Sequence, residues 1–244
     1  MFRTVLITLV ASVIAVGLVP SDSVGQRREK RTGVDFTAYI WPAARSGDVT
    51  LQGQTESVDN SIGDMLKFET WAMVFHVEAK KDYWSLILDL NYRQGEEDDL
   101  EGNRTETRTW LVEVGGAYWV AYQFEVLGGA RFVNLKADIT EESATLFSGS
   151  ESWIDPFVGG RYNLPFARDW KLFVRGDIGG FGIGSKFTWN LVSGVDWRPV
   201  NLGFFFGYRV WSVDYESGSG ESLFRYKAVR HGPALGLTFF FGER

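Results

Sequence analysis

Arginines recur beside glycines at a two-residue spacing. Gly129-Ala130-Arg131-Phe132, Gly159-Gly160-Arg161-Tyr162 and Gly207-Tyr208-Arg209-Val210 each place a glycine and an arginine on one side of an extended chain. Alternate residues of a strand leave the same face, so the pairing is geometric. Arg175-Gly176-Asp177 does the same with opposite charges. The chemistry this suits is guanidinium–carboxylate pairing, in which a planar head takes a carboxylate in two hydrogen bonds and glycine leaves room for the long side chain. Extending the alternation gives an inward charge network of Glu78, Asp89, Glu113, Arg131, Asp155, Arg161, Arg175, Asp177 and Arg209, with Asp35, Arg93, Glu125 and Asp196 as further inward candidates. Two roles are open to it. It can be a plug of ion pairs filling a narrow interior, or a charged constriction that selects ions.

Other motifs carry less. There are two histidines, His76 and His231. His76-Val77-Glu78 has the His-x-Glu spacing of zinc deaminases, but the cysteines of that metal site are absent from this cysteine-free chain. His231, near Asp214 at a loop end, is the residue that a hydrolytic reading would use as a base. The segment 179–186 (Gly-Gly-Phe-Gly-Ile-Gly-Ser-Lys) has the glycines of a phosphate loop, but Ser185 precedes Lys186 where the Walker order is reversed, and a strand follows it. Glu96, Glu97, Asp98, Asp99 and Glu101 form an acidic run without calcium-hand spacing, read as a solvated loop. No catalytic, cofactor-binding or metal-binding residue is assigned and no cofactor is expected.

These charges need strands to position them. Phe124, Val126, Ala130 and Phe132 alternate with Glu125, Leu127, Gly129 and Arg131, which is the period of a strand. The apolar face carries aromatics and aliphatics; the other carries charge and glycine. A barrel in lipid turns its apolar face outward. The alternation predicts ten strands near residues 33–41, 69–79, 83–94, 105–120, 123–138, 153–163, 170–180, 187–198, 202–215 and 223–241, with eight as the runner-up. Long polar connections (42–68, with one helical turn at 61–68; 95–104; 139–152; 216–222) alternate with tight turns, the asymmetry between outside loops and periplasmic turns. Tyr83, Trp84, Trp119, Tyr122, Trp170 and Trp197 beside the short turns, and Trp41, Trp71, Trp153 and Trp189 near the long loops, predict two aromatic belts at the lipid–water boundaries.

Composition agrees. The 244 residues hold 28 Gly, 19 Phe, 10 Trp and no Cys, which favours short strands and tight turns and removes disulfides, thiolate metal sites and lipoprotein acylation. A formal charge of -6 without a basic stripe argues against nucleic acid. Arg3 followed by an apolar run at 5–19 and a small-residue site at Ser23-Val24-Gly25 predicts a signal peptide at 1–25, then a charged leader at 26–32 and a barrel at 33–244.

The mature chain resembles the small, mostly uncharacterised outer-membrane β-barrel proteins of Gram-negative bacteria. Asp155-Pro156-Phe157-Val158-Gly159-Gly160-Arg161-Tyr162, Arg175-Gly176-Asp177 with Gly179-Gly180-Phe181-Gly182, and Gly207-Tyr208-Arg209 carry the likeness. The last strand resembles the signal read by the barrel-assembly machinery, although Gly242-Glu243-Arg244 follow Phe241. The resemblance implies an all-β, antiparallel up-and-down transmembrane barrel in the cell outer membrane, surrounded by lipid and lipopolysaccharide and inserted by that machinery. It transfers no catalytic residue. The expected role is that of a monomeric porin-like barrel, structural, interacting or narrowly conducting, and not an enzyme; the alternative is an outer-membrane hydrolase or lipid-modifying enzyme using loop-end residues.

Overall fold

A computed structural model describes residues 31–51, 54–98, 103–121, 123–141, 144–199 and 201–243. The signal peptide, most of the charged leader, Tyr122, Asp99 and Glu101 lie outside the described residues. Strands β1 (Arg31–Ile40), β2 (Ala44–Leu51) and β3 (Gln54–Asn60) lead into a short helix α1 (Ile62–Phe68). Then come β4 (Glu69–Asp82), β5 (Trp84–Asp98), β6 (Asn103–Ala121), β7 (Phe124–Glu141) and β8 (Ala144–Ala167). The chain finishes with β9 (Trp170–Gly179), β10 (Phe187–Trp197), β11 (Leu202–Ser217) and β12 (Phe224–Glu243). Strand β1 pairs with both β4 and β12, so β1 and β4–β12 close a ten-stranded antiparallel ring, and β2 and β3 stand outside it. Closure leaves the ring no open edge, the condition for backbone polar groups to sit in hydrocarbon.

Strand β2 continues β1 along the same partner. Ile40 faces Leu235 and Ala44 faces His231, so the register is unbroken across residues 41–43. The interruption sets Pro42 opposite Pro233. Neither proline has an N–H to give to the ladder, which accounts for the break. The chain approaches closely here: a Cβ on Gly232 would fall 2.0 Å from the Pro42 carbonyl oxygen.

The connection expected at 42–68 is therefore a hairpin plus a helix, of which only the helix was legible. Its N-terminus is a reciprocal cap. The Ser61 amide donates to Asp64 Oδ2 (3.1 Å) and the Asp64 amide to Ser61 Oγ (3.3 Å). Similarly, the described residues of 95–104 and 139–152, expected as loops, are strand: β5 pairs with β6 out to Asp98–Arg104, and β7 with β8 out to Glu141–Ala144, whereas 216–222 is a connection as expected, with a 3-10 turn at Gly220–Ser222. Ribbons that rise past the lipid are wet on both faces, so they lose apolar alternation while keeping the ladder.

The four short connections, from β4 to β5, β6 to β7, β8 to β9 and β10 to β11, gather at the other end. Outward residues form the apolar band: Trp84, Leu86, Val114, Val158, Ile178, Leu237 and Phe241 are all exposed. Rings cluster near the short turns, with Trp84 and Tyr118 at 4.6 Å and Trp170 and Trp197 at 5.8 Å between centroids. The opposite belt needs correction. Trp41 and Trp153 are buried, Trp153 stacked on Tyr215 at 3.9 Å. Their positions have the parity of Asp35 and Asp155, so the alternation itself turns them inward.

Candidate functional site

The inward positions of the ring strands bring charges from distant parts of the chain together. Glu113, fully buried on β6, accepts hydrogen bonds from three arginines: Arg131 Nε (3.0 Å) from β7, Arg175 Nη2 (2.7 Å) from β9 and Arg209 Nη2 (3.2 Å) from β11. Arg131 also reaches Asp177 (2.7 Å), Arg175 meets the other Asp177 oxygen (3.2 Å), and Arg209 meets Asp89 (3.1 Å). Three guanidinium groups thus face three carboxylates. Neighbouring strands of an antiparallel ring put Glu113 opposite Arg131, but Arg209 reaches Glu113 from across the ring.

A second group lies toward the short turns. Arg161 takes Glu78 in two hydrogen bonds (2.9 and 2.6 Å) and also pairs with Glu125. Below it, Lys80 pairs with Asp35, Lys171 with Asp196 (2.9 Å), and Arg198 with both Asp196 (2.9 Å) and Asp35 (3.5 Å). The seven cations named in these two groups are matched by seven carboxylates. Matching is what burial demands, since an unpaired buried charge is strongly unfavourable.

Of the nine residues read from the sequence, eight meet in these contacts. The ninth, Asp155, sits opposite Arg131 in register but makes different bonds: it accepts from the Ser185 amide (2.6 Å) and Trp153 Nε1 (3.0 Å). Asp155 fastens the 180–186 loop to the wall. Sequence reasoning missed Tyr39, which donates to Asp89 (3.3 Å) and accepts from Arg209 (2.6 Å), and Asn190, which bonds Asp177 (3.0 Å) and Arg209 (3.2 Å). Their strand parity was the available signal; being uncharged, they drew no notice. Lys80 and Lys171 were missed too, and His76 is inward, 3.3 Å from Asp89.

Aromatic rings fill the space between charges. Arg131 and Arg175 lie over Phe157 at 5.2 and 5.7 Å, and Arg93 and Arg209 over Trp41 at 4.7 and 4.8 Å. Phe157 is admitted by glycine: a Cβ on Gly115 or Gly129 would stand 3.2 or 3.0 Å from its ring. A cavity of about 100 Å³ remains between the arginine cluster and the short turns, bordered by Thr37, His76, Lys171 and Arg198. The residues named for hydrolysis are not brought together. His231 Nδ1 is 2.6 Å from Tyr208 Oη on the outer face, and Asp214 lies 3.7 Å from Arg225.

No protein-family model matches the chain, and no curated protein matches it. Solved structures do. The outer membrane protease OmpT from Escherichia coli superposes with a TM-score of 0.57 at 8% identity, over 88% of this chain and 99% of that one. The fold is that of the Gram-negative outer-membrane β-barrels. Two further barrels are more distant: Ail, the attachment invasion locus protein of Yersinia pestis (TM-score 0.40, 10% identity, 86% and 100% covered), and the translocator domain of the autotransporter NalP from Neisseria meningitidis (0.40, 12%, 97% and 95%). The barrel's ten-stranded closure and apolar outer band place it in the outer membrane.

Proposed function

We propose that this barrel is a structural or interaction protein whose lumen is sealed by its own ion pairs, and which presents the long β2–β3 and β5–β8 extensions outside the cell. One observation carries the reading: Glu113, with no solvent exposure, is held by three arginines from three strands, so the interior is spanned by direct contacts. Ten-stranded rings are narrow enough to be filled by side chains. The barrel works as a monomer in outer-membrane lipid and lipopolysaccharide, and its exposed Phe241 in the last strand is the feature the assembly machinery would read.

Planar-bilayer recording tests this. The parent barrel should show no steady unitary conductance, and Arg131→Ala or Arg209→Ala should open one. A parent barrel that conducts steadily, with a step altered by those substitutions, would establish the narrow-channel role instead. A hydrolytic activity abolished by His231→Ala would establish the enzymatic one.

A further inference from the structure

Among the described strands, β3 alone is paired on one side only. Each ring strand has two neighbours, and β2 lies between β12 and β3, but beyond β3 (Gln54–Asn60) the sheet stops. All 7 residues of β3 pair with β2 in unbroken register, from Gln54 opposite Leu51 to Asn60 opposite Arg45. A regular ladder on one side leaves a regular row of N–H and C=O groups on the other. Edge strands are commonly guarded against further pairing by lysine, proline or a bulge. Neither the sequence of β3, Gln-Thr-Glu-Ser-Val-Asp-Asn, nor its register contains any of these. Its charges are acidic. Thr55, Ser57 and Asp59 share one face and are exposed. Asp59 stands opposite Ser46 and makes no ion pair among the described residues. Asp48, also exposed, lies on the same face of β2 opposite Ser57, whose Oγ donates to it (2.8 Å).

We infer that this edge accepts an extended basic segment of another protein, which adds to β3 as a further strand. The inference rests on the proposed outward presentation of the β2–β3 extension and gives it a class of partner. In strand addition the backbone ladder supplies affinity and alternate side chains supply selectivity. A lysine or arginine set opposite Asp59 on the incoming strand gains a cross-strand ion pair. A second basic residue, two positions along, comes beside Ser57 with the Asp48 carboxylate behind it. An acidic strand in the same place meets like charge and is turned away. A second copy of this chain is refused for the same reason. Its β3 carries Glu56 and Asp59 and no cation, so it has nothing to set against Asp59.

The test uses the purified full-length barrel in detergent and a fluorescent synthetic peptide of alternating Lys and Thr, as long as β3. Its anisotropy should rise saturably with barrel concentration. The same peptide with Glu in place of Lys should not bind. The Lys peptide with every amide N-methylated should not bind either, because it keeps its charge and loses the ladder. Bound Lys peptide should slow hydrogen exchange of the 54–60 amides. Asp59→Asn should weaken binding roughly twofold to fivefold, the worth of one cross-strand charge pair, and Asp59→Lys should weaken it further. The inference is overturned if the Lys peptide does not bind saturably, if its N-methylated form binds as well, or if both Asp59 variants bind it like the parent. A separate arm tests the outward placement. Thr55→Cys gives this cysteine-free chain a single thiol, which a membrane-impermeant maleimide should label on intact cells. Labelling only after the cells are broken overturns that placement whatever the peptide does. Labelled intact cells with no peptide binding overturn the edge site alone.

Discussion

Arg209 on β11 reaches across the ring to Glu113 on β6, with Nη2 3.2 Å from Oε1, although 96 residues separate them in the chain. Each therefore reports on closure of the whole barrel rather than on one hairpin. Removing Glu113 leaves three buried guanidinium groups short of an acceptor. Glu113→Ala should lower stability by about 3–5 kcal/mol, the usual cost of breaking a buried ion pair from one side. Urea unfolding of the detergent-solubilised barrel, followed by heat-modifiable gel migration, measures it. The double variant Glu113→Ala/Arg209→Ala should lose less than the two single losses together, since the second change removes a stranded charge. Additive losses would show that the two do not act as a unit.

Glycine 129 tests the packing beneath that network. A Cβ there would fall 2.2 Å from the Val114 carbonyl oxygen and 3.0 Å from the Phe157 ring, on which Arg131 and Arg175 lie. Gly129→Ala should cost about 1–3 kcal/mol through overpacking. Gly116→Ala is the control, because its nearest atom, the Ser85 carbonyl oxygen, would be 3.5 Å away. Folded yield after refolding in detergent should fall for the first and not for the second.

The 180–186 loop hangs from Asp155. Asp155→Ala leaves the Ser185 amide and the Trp153 indole N–H without their acceptor. A buried donor left unsatisfied costs about 1–3 kcal/mol. Because the damage is local, it should appear as faster proteolytic nicking beside the exposed Phe181 and Ile183, with the ring still folded. A loop as resistant as the parent's would rule out the fastening role.

The other end of that loop depends on pH. The Lys186 ammonium donates to Glu216 (2.6 Å), and this hydrogen bond, with the lysine's charge, holds the Glu216 carboxyl below its ordinary range. A carboxyl depressed in the folded state contributes stability that is present above its unfolded value and lost as pH falls through the depressed one. Hydrogen exchange of the 181–186 amides should therefore quicken, relative to the intrinsic rate, as the buffer is taken from neutral to below the ordinary carboxylate range. Glu216→Gln should remove that dependence.

Parity made most of the interior legible beforehand. Once residues 124–132 are read as a strand with its apolar face outward, Arg131, Glu113 and Asp177 follow as inward by counting in twos. The same count would have turned Trp41 and Trp153 inward, had their place near long loops not suggested a belt. What parity cannot supply is height and stagger. Asp155 has the right face but sits level with Ser185, so it bonds a loop amide instead of its register neighbour Arg131.

By itself the sequence determined the secondary structure of the ring, the direction of its apolar face and the residue types that must meet inside, because alternation is a local property of an extended chain. Only the tertiary structure decided which carboxylate each arginine takes, that β2 prolongs β1 past facing prolines, and that Arg45 and Arg230 share a rung. Those facts depend on how ten strands are staggered when the ring closes, and stagger is fixed by contacts between residues far apart in the chain.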